Sequence, residues 1–500
     1  MSSIKIALVI IVSLLGAVYI GIGAASDQQQ TIGILLGAVA VATCLLLGKR
    51  IWMLIPLMFY VNLTLYLPGR PSTLLLAQFL VVVFGLLMIF SGKLRAKFSM
   101  TALEWCILLL VFSVLQVYAR NPVGVSLFGA SSVGGRPYIL FGASLMTAII
   151  LGSIKVPYSD LKKIFRLAVI GGVTNFILSA LGYFLPFFGQ YIGTGTVESK
   201  YSLTAVDTGR AGRLDFLVNL GPNIALWISS LMNPLRAAFK FLWLPLIMVA
   251  FASAGLSGYR NVIASTGLTF LVGIMYYGGI RSLFMSAGIG AVVLAAVSVV
   301  NVSNPLPPNI QRAMSFLPGT WDQEFVDAAE ESTEWRVEIW EEVLFTENWI
   351  KNKILGDGLG FTAEELAYQE ELKLLGSGMG LSGFDTHRES ILVNGDYHSG
   401  PISAVRTVGY LGLVVMLVCM IMISIRAHRL IIRSQGRPWL PVVMIVCIPL
   451  IWYPVFFLFI FGSFGKDANL ILMGYAMVRL LENNLPWNAD GELQNNSISI

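Results

Sequence analysis

The chain has 500 residues, of which 56% are hydrophobic and 12% charged, with a mean hydropathy of +0.76. That composition excludes a soluble globule and predicts an all-α polytopic membrane protein, with about 12–14 transmembrane helices and one large, mostly helical extracytoplasmic loop domain. The net charge of +5 excludes little by itself, because in a membrane protein the sign is read loop by loop.

In chain order, apolar runs of roughly 17–25 residues begin at Ile4, Thr31, Ile51, Ser72 and Thr101, then near Tyr138, Leu167, Phe216, Phe241, Val262 and Leu283. After a long polar segment come runs from Pro401, Trp439 and about Ser463, for about fourteen spans in all. Ile4–Gly23 is long for a signal-peptide core and passes through Ala24–Gln30 into the next run, so it reads as a retained helix. The four cysteines, Cys44, Cys106, Cys419 and Cys447, lie inside apolar runs without metal or disulfide spacing, and read as packing or lipid-facing residues.

Lys49/Arg50, Lys93/Arg95/Lys97, Lys155/Lys162/Lys163/Arg166, Arg236/Lys240 and Arg426/Arg429/Arg433/Arg437 fall in alternate loops. The positive-inside rule then puts the N-terminus in the cytoplasm and 301–400, Arg120–Pro137 and Pro186–Asp215 outside. The chain divides into an N-terminal transmembrane bundle (1–300), an extracytoplasmic domain (301–400), C-terminal transmembrane helices (401–482) and a polar cytoplasmic tail (483–500).

Within 301–400, Asn304–Pro308 breaks the preceding helix, and Asp322–Trp349 reads as a helix with Val337, Trp340 and Leu344 as its apolar stripe. Its glutamates (Glu324, Glu330, Glu331, Glu334, Glu338, Glu341, Glu342 and Glu347) make it strongly acidic. The acid solvates an outer surface, with repulsion of misplaced anionic lipid as the alternative. A glycine turn, Gly356–Gly360, a second acidic helix at Ala363–Leu375 and a loop at Gly376–Gly383 follow.

Few residues have the chemistry of a site. Of three histidines, His428 belongs to an inner basic loop, which leaves His387 and His398 outside. His398 stands just before Pro401, at the mouth of a new helix, where a titratable imidazole meets both membrane and water. Asp385–His387 and Asp396–His398 are short pairs without helical ligand spacing, so no metal is expected. Arg210 and Arg213, three residues apart, share a face if helical and suit a diphosphate; interfacial snorkelling or pairing with Asp207 and Asp215 is the plainer reading. Arg336 has Ser332, Thr333, Ile339 and Trp340 at helical spacing, hence no local carboxylate; it stacks on Trp340 or faces an anion. Arg281 and Arg406 fall inside apolar runs, where an arginine needs a partner or an aqueous cavity. No phosphate-binding Gly-x-x-x-x-Gly-Lys loop and no Asp-x-Asp pair is present, which argues against nucleotide hydrolysis or a nucleotide-sugar donor, and no cofactor is expected.

Four islands between Gly209 and Gly412 resemble the bacterial O-antigen ligase and O-antigen polymerase family of membrane glycosyltransferases. Arg210-Ala-Gly-Arg213-Leu-Asp-Phe followed by Gly221-Pro222-Asn223 is similar to its arginine-glycine stretch and Pro-Asn helix start. Gly279-Ile280-Arg281-Ser282 is similar to its Ser-Arg-Gly element, with Ile280 in place of the serine. Trp335-Arg336 through Trp340 and then Leu355–Gly360 resemble its arginine-tryptophan helix and glycine turn. His398, Ile402, Gly409 and Gly412 keep the spacing of its histidine motif, with Ser399 where asparagine is usual.

The resemblance implies metal-independent, inverting transfer of glycan from a polyprenyl-diphosphate-linked oligosaccharide to a sugar hydroxyl, on the periplasmic face of the bacterial inner membrane. His398 would be the base, and Arg210, Arg213, Arg336, Arg281 and Arg406 the cations that hold diphosphate or glycan. The implied acceptor is a glycan or lipid. Membrane lipids are implied partners, as are a flippase or a chain-length regulator of polysaccharide assembly, and nucleic acid is not. Polymerisation of repeat units is preferred to ligation of finished chains, because the outer segment is large and acidic and no second protein-binding module is visible. A transporter or flippase is the rival class; it would show paired halves with interrupted helices, and no internal repeat is seen.

Overall fold

The computed structural model describes residues 42–44, 46–65, 71–95, 99–123, 135–185, 192–194, 214–360, 391–392, 395 and 397–487, with side chains at 192–194 and 328–333 excepted. Those residues are overwhelmingly helical, with one two-stranded ribbon, β1 (Leu63–Leu65) against β2 (Ile192–Thr194), antiparallel with Leu63 opposite Thr194. Among them, seven helices are long and apolar enough to cross a membrane. Phe90, Phe112, Phe241 and Phe284 are exposed, a surface that suits lipid better than water. The expected spans from Ile4 and most of that from Thr31, the helix Ala363–Leu375 and the loop Gly376–Gly383 lie outside the described residues.

The first described helices are α1 (Leu54–Val61), α2 (Thr73–Phe90), α3 (Ala102–Arg120), α4 (Arg136–Ser153) and α5 (Lys163–Phe184). Ser72 caps α2 through its hydroxyl, Thr101 and Glu104 form a capping box at the start of α3, and proline stands in the first turn of α4. The run from Ile51 is much shorter than expected. A 3-10 stretch, Gly48–Met53, leads into α1, which ends at Asn62 in the left-handed conformation, and the chain then pairs as β1.

The runs from Phe216 and Phe241 are also short, as α6 (Leu220–Leu231) and α7 (Leu244–Leu256). Asn233 and Pro234 end the first, and Gly258, at φ +75°, lies just past the second. The long helix α8 (Arg260–Ser303) contains one non-helical residue, Gly279, at φ 72° and ψ −177°. A straight helix of 44 residues would separate its ends by about 65 Å. Instead both ends bond to one short stretch: Arg260 Nη2 donates to Ser315 Oγ, and Asn301 Nδ2 to the Thr320 carbonyl. Gly279 therefore folds α8 into two arms that return toward one another, matching the separate runs read from Val262 and Leu283.

Next comes α9 (Gln323–Phe345), close to the expected Asp322–Trp349. Its apolar stripe is centred one position round the helix from the expected one. Ile339 and Val343 are fully buried and Trp335, Trp340 and Leu344 partly so, whereas Val337 is 43% exposed. Residues four apart share a face, and Trp335, Ile339 and Val343 are that row. They pack on Ile350, Ile391, Leu392, Tyr397, Ile402 and Val405.

The chain closes with α10 (Gly400–Arg433), α11 (Leu440–Phe459) and α12 (Phe464–Asn484). In sequence α12 is the least apolar of the expected spans, and the reason is its place: it lies along α4, α10 and α11 with Ala468, Leu472, Ala476 and Leu480 fully buried. The charges near its end are met inside the protein, Arg479 by Glu104 and Glu482 at 2.7 Å each, and Glu482 also by Arg426 at 2.9 Å. This cluster and the ends of α10 and α12 define the basic end of the bundle; the start of α10 belongs to the opposite end.

Candidate functional site

Helix α10 is not continuous. Gly409 has φ 73° and ψ 179°, which splits it into a short first arm, 400–408, and a long second arm, 410–433. Such a break leaves carbonyls free at the end of one arm and N–H groups free at the start of the next. A single loop, 351–359, satisfies both sets. Asp357 N and Gly358 N donate to the Arg406 and Thr407 carbonyls at 2.8 and 3.1 Å, while Tyr410 N and Leu411 N donate to the Lys353 and Ile354 carbonyls at 2.8 and 3.3 Å.

Two glycines make this close approach feasible. A Cβ on Gly409 would stand 2.1 Å from the Ile354 carbonyl oxygen, and one on Gly356 2.5 Å from the Thr407 carbonyl oxygen. Further bonds fix the loop from the side of α3. Gln116 Nε2 donates to the Leu355 carbonyl at 2.8 Å, Arg120 Nη2 to the Leu355 and Gly356 carbonyls at 3.1 and 2.7 Å, and Asn121 Nδ2 to the Asp357 carbonyl at 3.0 Å. Leu359 N donates to the Tyr138 hydroxyl at 3.1 Å.

Arg406, on the first arm, is buried, and its Nη1 lies 3.7 Å from Asp357 Oδ2, with both side chains nearly enclosed. The same carboxylate accepts the backbone N–H groups of Lys351 and Asn352 at 2.8 and 2.9 Å. Asp357 is thus both the knot of the loop and the counter-charge that a buried arginine needs.

His398 sits two residues before the first arm, in the left-handed region at φ 52°, an uncommon backbone for a residue other than glycine. Its neighbours hold it there. The Trp340 indole donates to the Tyr397 carbonyl at 2.8 Å, and Ser403 N to the Ser399 carbonyl at 3.0 Å. Tyr397 is buried. The partly buried imidazole lies between two rings, Trp335 with its centroid 6.0 Å away and Phe461 at 5.7 Å. Phe461 belongs to the α11–α12 connection, so two distant parts of the chain, that connection and α9, meet at the histidine. Arg336, also half-buried, follows Trp335 on α9, about 100° further round the helix.

His398, Arg336 and Arg406 thus belong to one neighbourhood. Arg281 does not. It is exposed and lies two residues past Gly279, at the basic end: Tyr276 shares a 2.7 Å hydrogen bond with His428 Nδ1, and Gln435 Nε2 donates to the Tyr276 carbonyl. From residue 410 to 428 the second arm of α10 runs about 27 Å, which removes Arg281 from the histidine. The expectation that Arg281 belongs to the site is corrected accordingly. Arg210, Arg213, His387, Asp385 and Asp396 lie outside the described residues. Among the described residues no group of three or more histidine, cysteine or acidic side chains is arranged to hold a metal.

Asp357, Gln116, Arg120 and Phe461 also belong to this neighbourhood, and nothing in the sequence around them marks them as members. No protein-family model matches the chain, and a search of curated proteins returns no match.

Proposed function

We propose that the chain is a membrane glycosyltransferase that polymerises isoprenoid-diphosphate-linked oligosaccharide units at the outer face of the inner membrane. Chemically, such a donor needs only a base for the acceptor hydroxyl and cations for the departing diphosphate, because the anomeric carbon is already activated. The observation that carries the reading is the His398 turn, a partly buried imidazole held in left-handed backbone between Trp335 and Phe461. Aromatic faces beside a titratable ring suit a sugar, which stacks its C–H face on them while a hydroxyl meets the nitrogen. Arg336 stands one residue from that aromatic wall and, with Arg210 and Arg213, supplies the cationic clamp; Arg406, paired with Asp357, positions the arm that follows the histidine. The acceptor is another lipid-linked chain; in the ligase alternative it is a lipid core or a protein. Polysaccharide-assembly partners, a flippase or a chain-length regulator, fit either case.

A second reading has its own observation. Two helices interrupted at glycine are the feature by which many transporters build a substrate site, and α8 and α10 are both interrupted. The two readings separate in one experiment, with purified protein in vesicles given polyprenyl-diphosphate-linked repeat units. Lengthening lipid-linked chains support the polymerase, and transfer of preformed chains to a lipid core the ligase. Passage of the glycan across the bilayer with no new glycosidic bond overturns both in favour of a transporter.

A further inference from the structure

Two cysteines that are 313 positions apart in the sequence meet between α3 and α10. These helices pack along one another, and contacts on either side fix their register: a Cβ on Gly412 would lie 3.6 Å from Ser113 Cβ, and Arg426 Nη2 donates to Thr101 Oγ1 at 2.7 Å. About two turns on from Gly412 is Cys419, and the same distance back from Ser113 is Cys106. The Cys106 thiol donates to Met422 Sδ at 3.2 Å, and the Cys419 thiol is within hydrogen-bonding reach of the same cysteine. Cys419 and Met422 share a face of α10. Cys419 is fully buried and Cys106 partly so. Cys44 and Cys447 make no such contact among the described residues.

Three sulfurs from two helices are a soft donor set. Thiolate and thioether select Cu(I), whereas Mg²⁺ and Ca²⁺ need oxygen and structural zinc takes a full tetrahedral set of cysteine or histidine ligands. No carboxylate is at hand: Glu104, on the preceding turn, is paired with Arg479 at 2.7 Å and accepts from the Tyr475 hydroxyl at 3.1 Å. Histidine, cysteine and acid alone make no group of three among the described residues, so it is the Met422 thioether that completes this one. The thioether also separates a metal site from a disulfide, because it is a ligand but has no part in an S–S bond. Exchanging one thiol proton for Cu(I) forms an S–Cu bond, releases the proton to water and leaves the site neutral. A divalent ion would need both thiols ionised in apolar surroundings.

We infer that Cys106, Cys419 and Met422 form a binding site for a soft monovalent metal ion, Cu(I). The site lies about 15 Å along α10 from the break at Gly409, apart from His398, and the inference does not rest on glycosyl transfer.

The test is anaerobic titration of the purified full-length protein in detergent with Cu(I), kept reduced by ascorbate and buffered by bicinchoninate, whose coloured complex reports the copper left behind. The wild type should withdraw copper from the complex until the site is filled. Cys106→Ser and Cys419→Ser should each abolish uptake, Met422→Leu should weaken it by about tenfold or more, and Cys44→Ser and Cys447→Ser should leave it unchanged. Labelling of the wild type by a membrane-permeant maleimide reads the site without a variant: Cu(I) should protect Cys106, mapped by mass spectrometry, and excess Zn²⁺ should not. Absence of uptake overturns the proposal, as does an equal loss in Cys44→Ser or Cys447→Ser, or protection by zinc as strong as by copper. A Cys106 that labels only after reduction would assign the pair to a disulfide and overturn it as well.

Discussion

Gly279 and Gly409 interrupt two long helices with nearly the same dihedral angles, φ 72° and ψ −177° against φ 73° and ψ 179°, yet their surroundings are opposite. Around Gly409 the free backbone groups are bonded by a second segment, 351–359, and a Cβ would strike the Ile354 carbonyl oxygen; around Gly279 a Cβ would meet nothing within 4 Å. At the second break Ser282 bonds back to the Gly278 carbonyl, a local repair. The same backbone device is a hinge point left to itself in one place and the keystone of a docked loop in the other. The difference marks where the fold concentrates its constraints: beside His398 and Arg406, and away from Arg281.

Substitutions at the two breaks should separate in size. Gly409→Ala combines left-handed strain with the backbone clash and is expected to cost about 4 kcal/mol or more, read as loss of folded protein in detergent. Arg406→Ala leaves Asp357 a buried, uncompensated carboxylate and should cost about 3 kcal/mol; Asp357→Asn with Arg406→Gln should recover part of this in a double-mutant cycle. Gly279→Ala meets only conformational strain, about 1–2 kcal/mol. Arg281→Ala, at an exposed position, should lie within about 0.5 kcal/mol of the wild type in stability, and should leave glycan transfer unchanged. Unfolding midpoints of the four variants, measured in one detergent, check the order. Equal costs at Gly409 and Gly279 would mean that the docked loop contributes nothing.

Much of this organisation was legible in the sequence because it is local. Pro401 marked the start of α10, Asn304–Pro308 the end of α8, and the runs from Val262 and Leu283 its two arms. The glycines at 356, 358, 360, 409 and 412 are visible in the sequence, but a list of glycines does not say that Gly356 lies against the Thr407 carbonyl and Gly409 against that of Ile354. Those contacts join residues more than 50 positions apart and rest on backbone atoms, which carry no residue signature. Asp357 carries no mark in the sequence for the same reason: its role depends on Arg406 arriving from another helix. Arg281 was assigned to the site by motif, although the alternation of spans already put it at the basic end. The stripe on α9 was read one position off because Trp340 touches the buried face only at its edge, and Trp335 and Ile339 are the better markers of that face.

The central claim is that the His398 imidazole, with no metal ion, takes the proton from the acceptor sugar. Glycan transfer by purified protein in EDTA tests it most directly, comparing the wild type with His398→Ala and His387→Ala. The account predicts sustained turnover of the wild type in chelator, a loss of about 10²–10⁴-fold in His398→Ala, and little change in His387→Ala. Chelator-sensitive activity restored by added metal, or a His398→Ala protein that turns over like the wild type, would contradict it.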